Sequence, residues 1–279
     1  MNFHIYHPAD ALRPFVKQYY YWEDDTRGMI QLPQSLFALG DQYMVFILEG
    51  KAEIKPASYQ AFALPANTVL GQLTCACQLQ VYGPVKVAII QLNAYGCYRL
   101  LGLDVPNFTN YYRTLNASGQ LHWNELPAAL RAIKQGNEIE SLLDEACLQA
   151  LDSHTNHLNE VDDMVDYLLI KQGNVSIAEL SARHQLSRPT LERIFSAIVG
   201  IPPQLYARMI QYKTALNASQ QLQLPAWQLP VATTPYYNQA MFIRDYLRFH
   251  HETPAYFAAT AATIAHMPAN SHAQVAVAS

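Results

Sequence analysis

The sequence is short of charge, of cysteine and of long apolar runs, and each shortage excludes something. Only 14% of the 279 residues are charged and the net charge is −4 at pH 7, so the whole chain lacks the basic excess usual in a strong DNA-binder. The deficit is uneven. Residues 1–160 carry ten Lys/Arg against fifteen Asp/Glu, whereas residues 161–279 carry eight against seven, so the acidic bias belongs to the first part. Apolar residues make up 51%, which excludes a disordered chain. The longest apolar runs, such as "VKVAII" at 85–90, fall well below the roughly 20 residues that span a bilayer. "MNFHIYHPADALRPF" has no basic stretch followed by an apolar one, so no secretory signal is read, and a cytoplasmic protein without a membrane partner is expected.

The four cysteines (Cys75, Cys77, Cys97 and Cys147) are too few and too scattered for a disulfide framework, and without an export signal they are expected to be reduced. In "CAC", Cys75 and Cys77 share one face of a strand. No CxxC or HxxxH accompanies them, so no metal site is expected. They read as half-buried apolar positions, with a redox sensor as the lesser reading. The sequence also has no Gly-rich phosphate loop, no HExxH and no Gly-x-Ser-x-Gly elbow. An enzyme is therefore not expected, nor catalytic residues, nor a cofactor. His4 and His7 lie close together on an edge strand without a third ligand and read as surface residues.

The length favours two domains, each able to bury its own core. Short strand-like runs fill the first hundred residues: "FVKQYYYW" (15–22), "YMVFILEG" (43–50), "AFALP" (61–65), "TVLGQL" (68–73), "CQLQVYG" (77–83) and "VKVAIIQL" (85–92). They predict a small sandwich or open barrel. "AYGCYRLLG", "NELPAALRAIKQ" and "IESLLDEACLQALDSHTNHL" then show helical spacing. In the last of these, Leu142, Leu143, Ala146, Leu148 and Leu151 form a stripe that fits internal packing or a dimer seam. The fold class expected is α+β: a β-rich first domain with closing helices over 1–155, an all-helical domain over 160–258, and a disordered Ala/Ser/Thr tail over 259–279. Tyr19, Tyr20, Tyr21, Tyr43, Tyr59 and Tyr82, with Trp22 and Trp123, could line a pocket for a small organic effector, although most are expected in the core.

The informative stretch is "VSIAELSARHQLSRPTLERIFSAIVG" (175–200). Ser176 and Glu179 form an S-x-x-E cap for a helix from Ile177, "HQLS" breaks it, and Ser187 caps a second helix with Pro189 in its first turn. Leu191, Ile194, Phe195 and Ile198 make the buried side; Arg188, Glu192 and Arg193 face outward; Gly200 ends the helix. This is the pattern of a helix-turn-helix. A shift of 51 residues takes Ser187 to Asn238, Leu191 to Phe242, Arg193 to Arg244, Phe195 to Tyr246, Pro203 to Pro254 and Tyr206 to Phe257. Two units joined by a helix over 202–220 are far more specific than one.

"LSRPTLERIF…GIPPQLYARMI" and "YYNQAMFIRDYLRF…TPAYF" resemble the DNA-binding domain of AraC-type transcription regulators, over about residues 160–258. "HPADALRPFVKQYYYWE" and "VLGQLTCACQLQVYGPVKVAIIQLNAYGCYRLLGL" resemble the sensory part of that family, which is cupin-like or a small barrel. The resemblance implies a sequence-specific regulator of double-stranded DNA, homodimeric through its first part, answering to a small effector and touching RNA polymerase if it activates. It assigns base contacts to Arg188, Pro189, Glu192 and Arg193 in the first unit and to Asn238, Gln239 and Arg244 in the second. Arg208 and Lys213 on the joining helix would meet phosphates. The chain departs from the pattern in its second unit, where Pro230, Pro235 and Trp227 (in the cap position) predict a less ordered turn. The competing reading is a ligand-binding or adaptor protein that kept the fold and lost its operator.

Overall fold

The structure is a computed structural model and describes residues 2–31, 39–115, 121–133, 137–153, 160–222 and 239–251. The first part is one antiparallel sheet of β1 (Asn2–Tyr6), β2 (Val16–Gln31), β3 (Gln42–Pro56), β4 (Phe62–Leu64), β5 (Asn67–Leu70), β6 (Cys77–Leu92) and β7 (Tyr112–Thr114). Its order is β1-β2-β6-β3-β5-β7, with β4 beside β3. The expected short runs are thus partly fused. Sequences 77–83 and 85–92 form the single strand β6, and β3 runs beyond 43–50. β1 is the edge strand expected around His4 and His7; His4 lies on it, His7 just beyond its end, and both are exposed.

Both faces of the long strands are apolar, for a period-two reason. Tyr19, Tyr21, Met44, Phe46, Ala88 and Ile90 enter one cluster, while the alternating Tyr20, Trp22, Tyr43, Val45, Val87 and Ile89 enter another. Among the described residues, those of the second cluster come from the strands and their connections, with no helical residue. The first cluster meets the closing helices α1 (Gly96–Leu101), α2 (Leu121–Ala132) and α3 (Asn137–Ser153). On α3, Leu143, Ala146, Cys147 and Ala150 are buried against this core and Leu148 is exposed. Most of the stripe thus packs internally, while Leu148 stays outside and Leu142 and Leu151 are partly buried.

The second part consists of α4 (Glu160–Ile170), α5 (Ile177–His184), α6 (Arg188–Val199), α7 (Pro203–Leu222) and α8 (Gln239–His250). Leu168, Leu191, Phe195, Met209, Tyr212, Phe242 and Phe249 join the cluster that holds Phe46 and Ile90. Polar contacts cross the same seam. Arg99 on α1 and Asp162 on α4 pair at 2.7 Å with side chains 2% and 4% exposed. Thr109 donates its hydroxyl to the Gly200 carbonyl at 2.9 Å. Gly200 has φ +91°, and a Cβ there would fall 2.6 Å from Val105 Cγ1, so both backbone shape and docking require glycine. The division near residue 155 is one of sequence pattern; the segment 154–159 and the tail 259–279 lie outside the described residues.

Candidate nucleic-acid interface

Local chemistry builds the first unit as the sequence reads. Ser176 Oγ accepts from the Glu179 N–H at 3.1 Å and starts α5, while the Glu179 carboxylate accepts from the Tyr167 hydroxyl at 2.7 Å. Gln185 closes α5 in the left-handed region at φ 54°. Leu186 and Ser187 complete a three-residue turn, and Ser187 Oγ caps α6 by accepting from Thr190 N–H. Leu191, Phe195 and Ile198 are buried; Arg188, Pro189 and Arg193 are exposed, with Glu192 half-buried. Arg188 and Glu192 form an i,i+4 ion pair at 2.9 Å, worth only about 0.3–0.5 kcal/mol at such exposure, so both can be drawn off to a base edge.

α8 repeats α6 residue for residue at the spacing of 51. α6 covers 188–199 and α8 covers 239–250, each of 12 residues. Phe242, Tyr246 and Phe249 are buried where Leu191, Phe195 and Ile198 are, and Arg244 is exposed where Arg193 is. Even the closing residue recurs: His251 has φ 57° at the position of Gly200. Gln239 opens α8, its side chain lies outside the described residues, and so do Asn238 and the whole stretch with Trp227, Pro230 and Pro235.

Two of the expected contacts are engaged inside the chain. Arg208 on α7 grips the carboxylate of Asp245 on α8, with Nη2 on Oδ1 and Nε 3.4 Å from Oδ2; Asp245 is 2% exposed. This pair holds α8 on the joining helix α7. Lys213 Nζ lies 3.2 Å from Asp41 Oδ2, across the seam between the two parts. Asp41 also accepts from Lys17 and from Gln91 Nε2 at 2.7 Å. Burial pushes the Asp41 carboxyl up, but Lys17 and Lys213 outweigh it and hold the group below the ordinary carboxylate range. Burial lowers the Lys213 ammonium, with Asp41 pulling the other way. None of Asp41, Asp162 or Asp245 was singled out from the sequence. Lys213 and Asp41 are 172 residues apart and Arg208 and Asp245 are 37 apart, so no local spacing could reveal them.

The proposed aromatic pocket takes a different form. Tyr19, Tyr20, Tyr21, Tyr43, Trp22 and Trp123 are core, whereas Tyr59 and Tyr82 are exposed. The cavity inside the curved sheet is lined by Trp22, Val45, Ile47, Leu79, Val87 and Ile89 and has a volume of about 10 Å³, the room of one water. The cavity surface is wholly apolar; Trp22 Nε1 is buried away from it, with no hydrogen-bond partner among the described residues. Among the described residues no three His, Cys, Asp or Glu side chains gather as a metal site, and no helix is long and apolar enough to cross a membrane.

Residues 4–114 match a family described as a domain of unknown function (DUF6597). No curated protein matches the chain. Similar solved structures include ToxT from Vibrio cholerae, at 11% identity and a TM-score of 0.45, covering 86% of this chain and 97% of that one. ToxT from Vibrio cholerae O395 bound to (E)-4-(8-methylnaphthalen-1-yl)but-3-enoic acid has 11% identity and a TM-score of 0.43, over 92% of this chain and 98% of that one. The AraC-like transcriptional activator CuxR has 11% identity and a TM-score of 0.28, covering 74% and 83%. Likenesses this distant transfer no function, and the case for DNA has to be made from α6 and α8.

Proposed function

We propose that the chain is a sequence-specific DNA-binding transcription regulator of the AraC type. One observation carries the reading: α6 and α8 share length, buried positions, an exposed arginine and a left-handed closing residue at a spacing of 51. A duplicated helix that keeps its outward arginine while its buried residues change from aliphatic to aromatic fits a duplicated surface task. In the major groove, Arg193 and Arg244 each suit guanine O6 and N7, Gln239 suits adenine and Glu192 suits cytosine N4. Arg188, Pro189 and Asn238 complete the two edges. Arg208 and Lys213 would reach phosphates only by leaving Asp245 and Asp41.

The same two ion pairs, with the near-neutral charge, favour a second reading: a ligand-binding or adaptor protein that kept the fold and lost its operator. Genomic footprinting of the tagged protein, followed by titration of the recovered site at several salt concentrations, separates the two. A regulator gives a defined site and a steep salt slope from phosphate contacts. An adaptor gives neither.

A small effector belongs to the proposal through the curved sheet. The cavity beside Trp22 would have to open, and its wholly apolar surface suits an apolar ligand. A cytoplasmic location, a contact with RNA polymerase if the protein activates, and a homodimer through the first part and its closing helices at 124–151 complete the reading. Light scattering at micromolar concentration tests the dimer.

A further inference from the structure

The closing turns of α6 and α8 both end on one strip of the first part. The last carbonyls of a helix have no partner within it and need donors from elsewhere. Gly200, which closes α6, receives the Thr109 hydroxyl on its carbonyl at 2.9 Å. Phe249, in the last turn of α8, receives the Ala76 N–H on its carbonyl at 2.7 Å. Thr109 follows a single helical turn over Val105–Phe108, and Ala76 stands just before β6, so both donors lie in connections outside the strands.

One side chain bonds the two connections to each other. Asn110 Oδ1 accepts the Thr74 N–H at 2.7 Å and lies 3.1 Å from Thr74 Oγ1, while Asn110 Nδ2 donates to the same Oγ1 at 2.7 Å. The Asn110 N–H also donates to the Gln72 carbonyl at 2.9 Å, and the Gly71 N–H to the Tyr111 carbonyl at 3.2 Å. Asn110 is buried and has φ 59°, a left-handed backbone that Asn tolerates better than most residues. A Cβ on Gly71 would lie 2.4 Å from the Phe108 carbonyl oxygen, so the connections touch there with no room between them. The path from Gly200 to Phe249 is therefore short: Thr109, Asn110, Thr74, Cys75 and Ala76.

The joining helix α7 holds the same two helices on their flanks, through Tyr206 against Phe195 and Arg208 on Asp245. A helix held on its flank alone can pivot about that contact. Twelve residues span about 18 Å, so a pivot of about 10° at the closing turn moves the opposite end, with Arg188 or Gln239, by about 3 Å, close to one base-pair step. Resting on the regulator reading, we propose that Thr74 and Asn110 are positioning residues for DNA: their contact fixes the closing turns of α6 and α8 against each other and so sets the distance between the two reading ends. An amide suits the task, because one side chain both accepts and donates and so closes a ring with the Thr74 backbone and hydroxyl.

The full-length protein is read first without DNA, by hydrogen exchange. Asn110→Gly, which keeps the left-handed backbone and removes the amide, should speed exchange about threefold or more in 196–200 and in 247–251 together, and leave 139–150 unchanged. Thr74→Val, which removes only the hydroxyl, should give the same pattern more weakly and decides the matter if the glycine variant does not fold; Thr74→Ser should match the parent protein. A rise at one closing turn alone, at neither, or throughout the chain overturns the proposal. Hydroxyl-radical footprints on the site recovered by genomic footprinting give the second readout. The parent should protect two stretches, assigned to α6 and α8 by their weakening in Arg193→Ala and Arg244→Ala. With Asn110→Gly the stretch under α6 should stay sharp and the one under α8 should spread over neighbouring base pairs, at about tenfold weaker affinity. Two stretches of unchanged sharpness and spacing overturn the positioning role, as does equal weakening of both. A parent protein that leaves no footprint sinks the regulator reading itself, and the positioning role with it, whatever the exchange shows.

Discussion

Helices α6 and α8 are built to one pattern and, among the described residues, tethered in two ways. α6 is capped by its own Ser187, entered from an ordered turn, and closed by Gly200 against Val105 and Thr109. α8 is held by charges and backbone from elsewhere: Arg208 from α7 on Asp245, and Ala76 from the sheet on Phe249. Among the described residues, α6 has a cap of its own beside its remote ties, whereas the ties named for α8 come from α7 and the sheet. A duplicated helix can keep its bounds and its outward arginine while its stability passes to remote residues, because burial of three apolar side chains fixes the face and leaves the tether free to vary. This difference suits a first head that discriminates sequence and a second that clamps.

The largest expected effect falls on the seam that both heads share. Arg99→Met should cost about 3–5 kcal/mol in urea unfolding, because Asp162 loses its cation at a position almost fully out of water. Melting of the isolated fragment 160–258 tests separately whether that part folds by itself. If the fragment alone melts cooperatively, the shared core is an association of two stable parts; if it does not, the parts fold together. Next in size, Arg208→Ala should cost about 1–3 kcal/mol, concentrated in α8, because it strands the Asp245 carboxylate. Hydrogen exchange should rise in 239–250 and stay unchanged in 188–199; equal loss in both would erase the distinction between local and remote tethering.

On the DNA side, Arg193→Ala should weaken operator binding by about 1–3 kcal/mol with loss of preference at one base pair. Arg244→Ala should weaken all sequences more evenly. Titration of both on single-base operator variants sharpens the comparison, and equal base-specific losses would show two reading heads. A smaller effect concerns acid. Asp41 titrates below the ordinary carboxylate range in the folded protein, so it adds stability above that range which is lost as pH falls through its lowered value. Asp41→Asn should flatten that acid limb in urea midpoints measured against pH. The smallest expected effect is on Lys213→Gln, which should lower the salt slope of DNA binding by about 1 if the amine leaves Asp41 for a phosphate, and not at all if it stays at the seam.

Much of the helical part was legible because its signals are local. Ser176, Ser187, Pro189 and Gly200 mark ends by hydrogen bonds within three or four residues, and the 51-residue repeat carries the same marks forward. The sheet was half legible. Alternation in "KQYYYWE" announces a strand with two apolar faces, yet nothing in 77–92 says that two runs are one strand, because pairing with β2 and β3 on either side fixes that length. The α3 stripe could not say what it faces, since an apolar face looks the same against a core or a partner.

The sequence by itself determined the helix ends, the repeat, the outward arginines and the period-two strands, all of which follow from contacts a few residues apart. Only the tertiary structure decided that Arg208 and Lys213 lie on Asp245 and Asp41, that Arg99 and Asp162 pair out of water, and that Ala76 ties the sheet to α8. Those contacts join residues that chain spacing leaves unrelated. Burial, which strips water from a charge and makes a distant partner the cheapest solvent, brings them together.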